Sequence, residues 1–531
     1  MSQTRKRKKS SQKKVESPKL HDRVRRKLES RRGTHIVLLT IAVLALIVSI
    51  LVFDTKLSLS GDNTEFIVLA RSIASGQGMQ NINSPTPRPT TKFPFGFPLF
   101  LAAVELLFPQ NLIAMKGLVL LFFVGTLLVL YLLLKEHIGI WIALGVALFS
   151  IINPHLLDFS HQVMSEIPYL FFSVLALFLI QRCLKNSSIL RNYWLIGGTL
   201  SLMYAYYVRA IGIALICGVL VYFLINREYK KALFITIAAV VIALPWQLRN
   251  SSLGGSSYLK QLILVNPYHR YMGFLDLHSF WTRIKINAQI YFLREIPRAL
   301  LPTYRGIGDL GGILKVVGIL GVGIYGFTLA LMRKSLLALY LLFFMGICII
   351  WPQVWSGMRF IIPIIPLFIC FGLSGLLNLA KRIEPYIHRL STVTVVSVSL
   401  LVFFASNVHS TVNLGHRSKG DYPPNWRNYF KCGQWLKRNT PEDTIVSCRK
   451  GYWMYVVSNR KTVGYRHTKD AETVIRGIEE SKADFVIVEQ LGFGSTPRYL
   501  VPAINKFPDR FQVAFFLDRP PTYVLRFIKS R

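Results

Sequence analysis

Apolar runs long enough to cross a bilayer recur along this chain, separated by short turns rich in lysine and arginine. A hydrocarbon core of about 30 Å takes about twenty helical residues. On that measure about eleven spans are predicted. They fall near 34 to 53, 112 to 134, 138 to 152, 166 to 183, 193 to 208, 211 to 225, 231 to 248, 313 to 332, 336 to 351, 360 to 379 and 391 to 408. The stretch Phe97 to Phe108 is apolar but too short to cross, so it is predicted as a helix lying at the surface.

Two regions show a different pattern. After Asp62, the apolar Phe66, Leu69, Ala70, Ile73 and Ala74 recur at helical spacing against polar Asn63, Arg71 and Ser72, which predicts an amphipathic helix along the interface. From residue 409 onward, short β-rich runs ("DTIVSC", "DFVIVEQ", "YVLRFI") alternate with polar-faced helical stretches ("WRNYFKCGQWLKRN", "DAETVIRGIEES"), the pattern of a small α/β domain.

Composition agrees with the spans: of 531 residues, 52% are hydrophobic and 13% aromatic, outside the soluble range. Charge orients them. Lys135, then Arg182, Lys185 and Arg191, then Arg227, Lys230 and Lys231, then Arg333 and Lys334, and last Lys381, Arg382 and Arg389 all fall in cytoplasmic turns when the N-terminus is inside. The long connections 54–111 and 250–312 and the tail 409–531 then share the outer face, where chemistry is to be sought.

The net charge of +37 points first to nucleic acid, and the run Arg5 to Lys9 resembles a nuclear signal. No nucleic-acid-reading module accompanies it, and a basic arm over 1–33 before a transmembrane helix fits anionic lipid instead. The first apolar run lacks the small-residue site of a cleavable signal. Of six cysteines, only Cys432 and Cys448 lie in the outer tail, and spacing alone leaves their pairing open.

Charged groups at membrane depth are costly and therefore informative. Asp62 stands at a helix start with Glu65 three residues on, a capping-box pattern that a purely structural role would explain. Glu166 opens another span, with Ser165 as its expected cap. Arg209, Arg249 and Arg359 lie at outer boundaries, against the inward bias for positive charge. Each alone reads as a snorkelling side chain; together with the acids they suggest a site for phosphate, whose oxygens suit arginine's planar fork.

Glu65, His161, Tyr268 and His269 are candidate contacts to an acceptor or sugar, although the aromatics of "VNPYHRYMGFLDLHSFW" equally form an interfacial belt. His155, His161, His269 and His278 show no paired metal-ligand spacing. A divalent metal stays open, and no other cofactor motif is present.

The order "GDNTEFIVLARSIASGQG", "PFGFPLFLA", "HQVMSEIPYLFF", "VRAIGIAL", "PWQLRN" and "RFIIPIIPLF" resembles the bacterial branch of the GT-C glycosyltransferases, related to protein O-mannosyltransferases and the lipid A aminoarabinose transferase. The resemblance runs from about residue 34 to 380. It implies a polytopic α-helical membrane protein of GT-C type, with a catalytic domain over 34–408 and a small extracytoplasmic α/β domain over 409–531. It implies a bacterial cytoplasmic membrane, a polyprenyl-phosphate-sugar donor, and a protein, lipid or glycan acceptor. Asp62 matches the first-loop acid taken as general base or as the group orienting the acceptor, Glu166 an acid opening a later span, Arg209 a carrier-phosphate contact, and Arg359 another recurring basic position. Two departures stand out: Asn63 follows Asp62 where relatives have Glu, and the stretch Lys92-Phe93-Pro94 lacks a carboxylate that some relatives use for a metal. A transporter or flippase of lipid-linked sugars is the alternative, but transporters put their charges near the midplane.

Overall fold

The computed structural model describes residues 20–59, 61–184, 188–189, 191–255, 257–386 and 388–529. The basic run Arg5 to Lys9 and Lys185 lie outside the described residues. A helix forms over each predicted apolar run, from Arg31–Leu51 to Arg389–Lys419. Among the described residues, seven helices are long and apolar enough to cross a membrane, or eight if the bent pair Ile140–Ile151 and Pro154–Ser160 is one span. The chain is an integral membrane protein. Its outward helix faces carry large exposed apolar side chains, such as Leu39 and Ile50 on the first long helix and Val240 and Val241 on Tyr229–Ser252.

Asparagines begin several helices, as expected of a side chain that accepts from an unpaired N–H. Asn111 accepts from the Ala114 N–H at 3.0 Å and Asn192 from that of Leu195 at 3.2 Å. Between apolar helices lipid supplies no hydrophobic drive, so close packing of small residues takes over. Helix Leu310–Met332 lies against Ile365–Ile383 through Gly326 and Gly375, where a Cβ on either glycine would collide with the other helix's backbone.

The tail folds around a five-stranded sheet of β1 (Ile445–Ser447), β2 (Lys461–Val463), β3 (Phe485–Val488), β4 (Phe511–Leu517) and β5 (Thr522–Phe527), in the order β2-β1-β3-β5-β4. β1 runs parallel to both neighbours, and helices Gly451–Ser458 and Ala471–Glu480 supply the crossovers that parallel pairing requires. The expected boundary at 409 falls inside the continuous helix Arg389–Lys419, and the sheet-bearing unit opens with helix Pro424–Asn439. Cys432 and Cys448 are both free and buried.

The expected amphipathic helix forms over Asn63–Ala74, but it is covered on more than its apolar face: Asn63, Thr64 and Ser72 are buried with Phe66 and Leu69. It packs between helix Gly96–Leu107 and the tail's Gly451–Ser458. Trp453 donates to the Ser58 carbonyl at 2.9 Å, Tyr422 to that of Leu57 at 3.1 Å, and Asn83 to the Thr462 hydroxyl at 3.2 Å. The tail domain thus grips the first long loop on both sides of Asp62.

Candidate active site

Four helix ends meet at one end of the bundle, and each delivers a charge. Glu166 begins helix Glu166–Cys183, Arg209 breaks the chain in extended conformation between Tyr193–Val208 and the turn Ala210–Gly212, Arg359 lies in the short helix Met358–Ile361, and Asp62 precedes Asn63–Ala74. Gly61, at φ +71°, lets the chain turn into that last helix close to the Met164 side chain and the Arg359 guanidinium.

Arg359 sits at the centre. Its Nη2 is 2.7 Å from Asp62 Oδ2 and its Nε 2.6 Å from Glu166 Oε1. Arg209 Nη1 reaches the same Glu166 oxygen at 2.7 Å and donates to the Ser165 hydroxyl at 2.9 Å. Glu166 is fully buried, and its Oε2 has no hydrogen-bond partner among the described residues. Arg359 Nη1 and Arg209 Nη2 likewise make no hydrogen bond among them. The arginines therefore hold donors in reserve beside a buried carboxylate.

The capping readings are corrected here. Neither Asp62 nor Ser165 makes a side-chain cap bond. Asp62 turns to arginine instead, because a bond in which both partners are charged is stronger than one from a carboxylate to a neutral backbone N–H. Glu65 does not complete a capping box: both its oxygens take Lys92 Nζ, at 2.7 and 2.8 Å, and the same ammonium stands 3.2 Å from Asp62 Oδ1. Burial raises the Asp62 carboxyl, but Arg359 and then Lys92 outweigh it and hold it below the ordinary aspartate range. For Glu65 burial prevails over Lys92, and its carboxyl lies above the usual glutamate value.

Other expected residues lie apart. Arg249 donates to the Thr90 carbonyl at 3.1 Å and rests over the Trp246 ring, supporting the loop that ends in the Gln80–Pro89 bridge rather than joining the charge cluster. His161 is 2% exposed, beside Phe53 and 3.7 Å from Asp158, which leaves it no face for a sugar. Tyr268 and His269 are exposed, and the Tyr268 hydroxyl accepts from Trp355 Nε1 at 2.9 Å, four residues before Arg359.

Lys92 joins the cluster without a signal in the sequence, since the first long loop also carries Lys56, Arg71 and Arg88. No group of three or more His, Cys, Asp or Glu gathers for a metal among the described residues. The donor set here fits a divalent ion poorly, because Lys92 already bridges Asp62 and Glu65 and Arg359 flanks them.

No protein-family model matches the sequence, and comparison with curated proteins returns no match. Solved structures do match. The oligosaccharyltransferase AglB of Archaeoglobus fulgidus, in complex with an inhibitory peptide and a dolichol-phosphate, aligns at TM-score 0.57 and 13% identity over 85% of this chain and 69% of its own. ArnT of Cupriavidus metallidurans aligns in its apo state at TM-score 0.57 and 13% identity, over 94% of this chain and 100% of ArnT. The chain has the GT-C fold. ArnT bound to undecaprenyl phosphate aligns at TM-score 0.54 and 14% identity, over 93% and 98% of the two chains. That GT-C likeness covers both the helical bundle and the tail domain.

Proposed function

We propose that this protein is a glycosyltransferase that moves a sugar from a polyprenyl-phosphate carrier to an acceptor hydroxyl at the outer face of a bacterial cytoplasmic membrane. The observation that carries the proposal is Arg359 joining Asp62 to buried Glu166, with Arg209 beside it. About eleven spans with the N-terminus inside would leave the cluster, both long loops and the tail domain outside, and the lysine- and arginine-rich turns support that orientation.

The residues supply a complete reaction. Unspent donors of Arg209 and Arg359 take the carrier phosphate, while Glu166 holds both guanidinium groups in place. Asp62, ionised, accepts the proton of the acceptor hydroxyl as its oxygen forms a bond to the anomeric carbon. The bond from that carbon to the phosphate oxygen breaks, and its electron pair leaves on the phosphate, where the arginines stabilise it. Attack opposite the leaving group inverts the anomeric centre. Depressed basicity suits a group that must stay ionised, and a phosphate drawing on Arg359 weakens that arginine's hold on Asp62 when the proton has to move. Gathering of the charges at one end of the bundle, away from its midplane, favours transfer over transport.

The test is mass spectrometry of carrier-linked sugars and envelope glycans in cells lacking the protein, restored with the native chain or Asp62→Asn at equal membrane levels. Transfer through Asp62 requires one carrier-linked sugar to build up, and one glycan to lose it, in both null and Asp62→Asn cells. A native profile with Asp62→Asn defeats the assignment.

A further inference from the structure

A cavity of about 340 Å³ separates the acidic cluster from the tail domain. One wall is Glu65; the other carries Arg449 and Lys450 from the turn after β1, and Tyr452 and Trp453 from the start of helix Gly451–Ser458. Its location is fixed on both sides. Tyr429 clasps the turn, its hydroxyl accepting from the Lys450 N–H at 3.3 Å and donating to the Lys450 carbonyl at 3.1 Å. Trp453, in the first turn of the helix that follows, donates to the Ser58 carbonyl, four residues before Asp62.

Neither cation is closed into an ion pair, although the carboxylates of Glu489 and Glu65 act on Lys450 from beyond contact distance. Neither Arg449 nor Lys450 has an acidic partner within ion-pair distance among the described residues, and Arg449 Nε is buried with no hydrogen-bond partner. Both are held over one ring, Phe493, with Arg449 at 5.0 Å and Lys450 at 4.3 Å from its centroid. Burial, and then Arg449 beside it, push the Lys450 ammonium below the ordinary lysine value. Adjacent like charges in a partly enclosed space repel, and an anion between them would relieve the repulsion. The opposite wall is an acid, so a ligand with an anionic end and a hydroxyl end would enter in one orientation only.

We infer that this cavity is the acceptor site and that the acceptor is an anionic sugar, its phosphate-like group held by Arg449 and Lys450 and its hydroxyl directed toward Glu65 and Asp62. This rests on the transferase proposal and adds the acceptor's chemical class. The volume lies within the range of small-molecule pockets. Tyr452, half-buried at the cavity wall, offers a ring to a sugar. Separate anion sites result: Arg209 and Arg359 for the donor, Arg449 and Lys450 for the acceptor, with Asp62 between them.

The test is direct binding to the purified full chain in nanodiscs, using glucose 6-phosphate, glucose, and octyl glucoside 6-phosphate as probes, with native protein and the Arg449→Gln/Lys450→Gln double variant. The expected result is glucose 6-phosphate binding that weakens about ten- to hundredfold in the double variant, with glucose at least about tenfold weaker on the native chain. Lys450→Gln alone, at a half-buried position, should weaken it in the same direction if the double variant does not fold. Tighter binding of the octyl form assigns a lipid-borne acceptor, and equal binding a water-borne one. Glucose binding as well as its phosphate, or variants that bind the phosphate as the native chain does, overturns the inference. Because binding is read without turnover, it is separate from the Asp62→Asn cell experiment: phosphate held by these cations in a protein that needs no Asp62 leaves an anion site and removes the transferase.

Discussion

Arg359 and Glu166 are joined by a 2.6 Å contact from Nε to Oε1, and the other arm of the same guanidinium holds Asp62 at 2.7 Å. One side chain thus fixes the separation between a buried carboxylate and the acid assigned as base. Arg359→Gln should lower the rate of transfer by ~10² to 10³, the loss typical of removing one donor to a developing anion. Arg359→Lys should recover little, since one ammonium cannot serve two carboxylates in fork geometry. Arg209 still pairs with Glu166, so the stability loss should stay below the about 3 to 5 kcal/mol that a wholly unpaired buried carboxylate costs. Kinetics and thermal unfolding of the two variants decide this; full activity in Arg359→Gln removes the arginine from the mechanism.

Lys92 occupies the position a divalent ion would need. A metal wants carboxylate oxygens at about 2.0 to 2.6 Å, whereas here those of Asp62 and Glu65 already surround an ammonium. Transfer by purified protein should therefore be unchanged, within about twofold, by excess chelator, and Lys92→Met should lower it by ~10² as two like charges lose their bridge. Chelator-sensitive transfer restored by added divalent ion counts against this arrangement.

The pH profile separates the two first-loop acids. As pH falls, Glu65, raised by burial, takes its proton before Asp62, which Arg359 and Lys92 hold low. Once Glu65 is neutral, Lys92 turns wholly to Asp62 and weakens it as a base. The acid limb of kcat/KM should then report Glu65, and Glu65→Gln should abolish that limb while lowering the plateau. The stability signs are opposite: Asp62 contributes stability present above its unfolded value, about 3.9, and lost as pH falls through its lower folded value, whereas protonation of Glu65 favours the folded state. An acid limb identical in native and Glu65→Gln protein shows that another group titrates.

Much of this site was legible because charge at membrane depth is expensive and stands out against apolar runs. Arg209 and Arg359 ran against the inward bias for positive charge, Asp62 and Glu166 stood at helix starts on the same face, and the fold brings all four together. Arg249 broke the same rule for a different reason, holding a loop through the Thr90 carbonyl. Lys92, Arg449 and Lys450 were not legible, since a cation in a water-facing segment violates nothing. The burial of Asn63 and Ser72 was hidden too: Asn63 donates to the Ser58 carbonyl at 3.1 Å and Ser72 to that of Gly78 at 2.7 Å, loop partners that helical periodicity does not encode.

Close approach of two helices should be the most fragile feature of the bundle. At Gly326 and Gly375 a side chain would meet the partner helix's backbone, which cannot move aside as a flexible side chain would. Gly375→Val should therefore destabilise the protein by about 1 to 3 kcal/mol or more through overpacking, although alanine-like side chains normally favour helices over glycine. Gly346 supplies the comparison: it lies in helix Leu336–Ile350 with nothing within 4 Å of a Cβ, so Gly346→Ala should be neutral or stabilising. Thermal unfolding of both variants in nanodiscs reads the difference. Equal midpoints would mean that the two helices separate without cost, and that the packing on which Arg359 depends, through the helix following it, is held elsewhere.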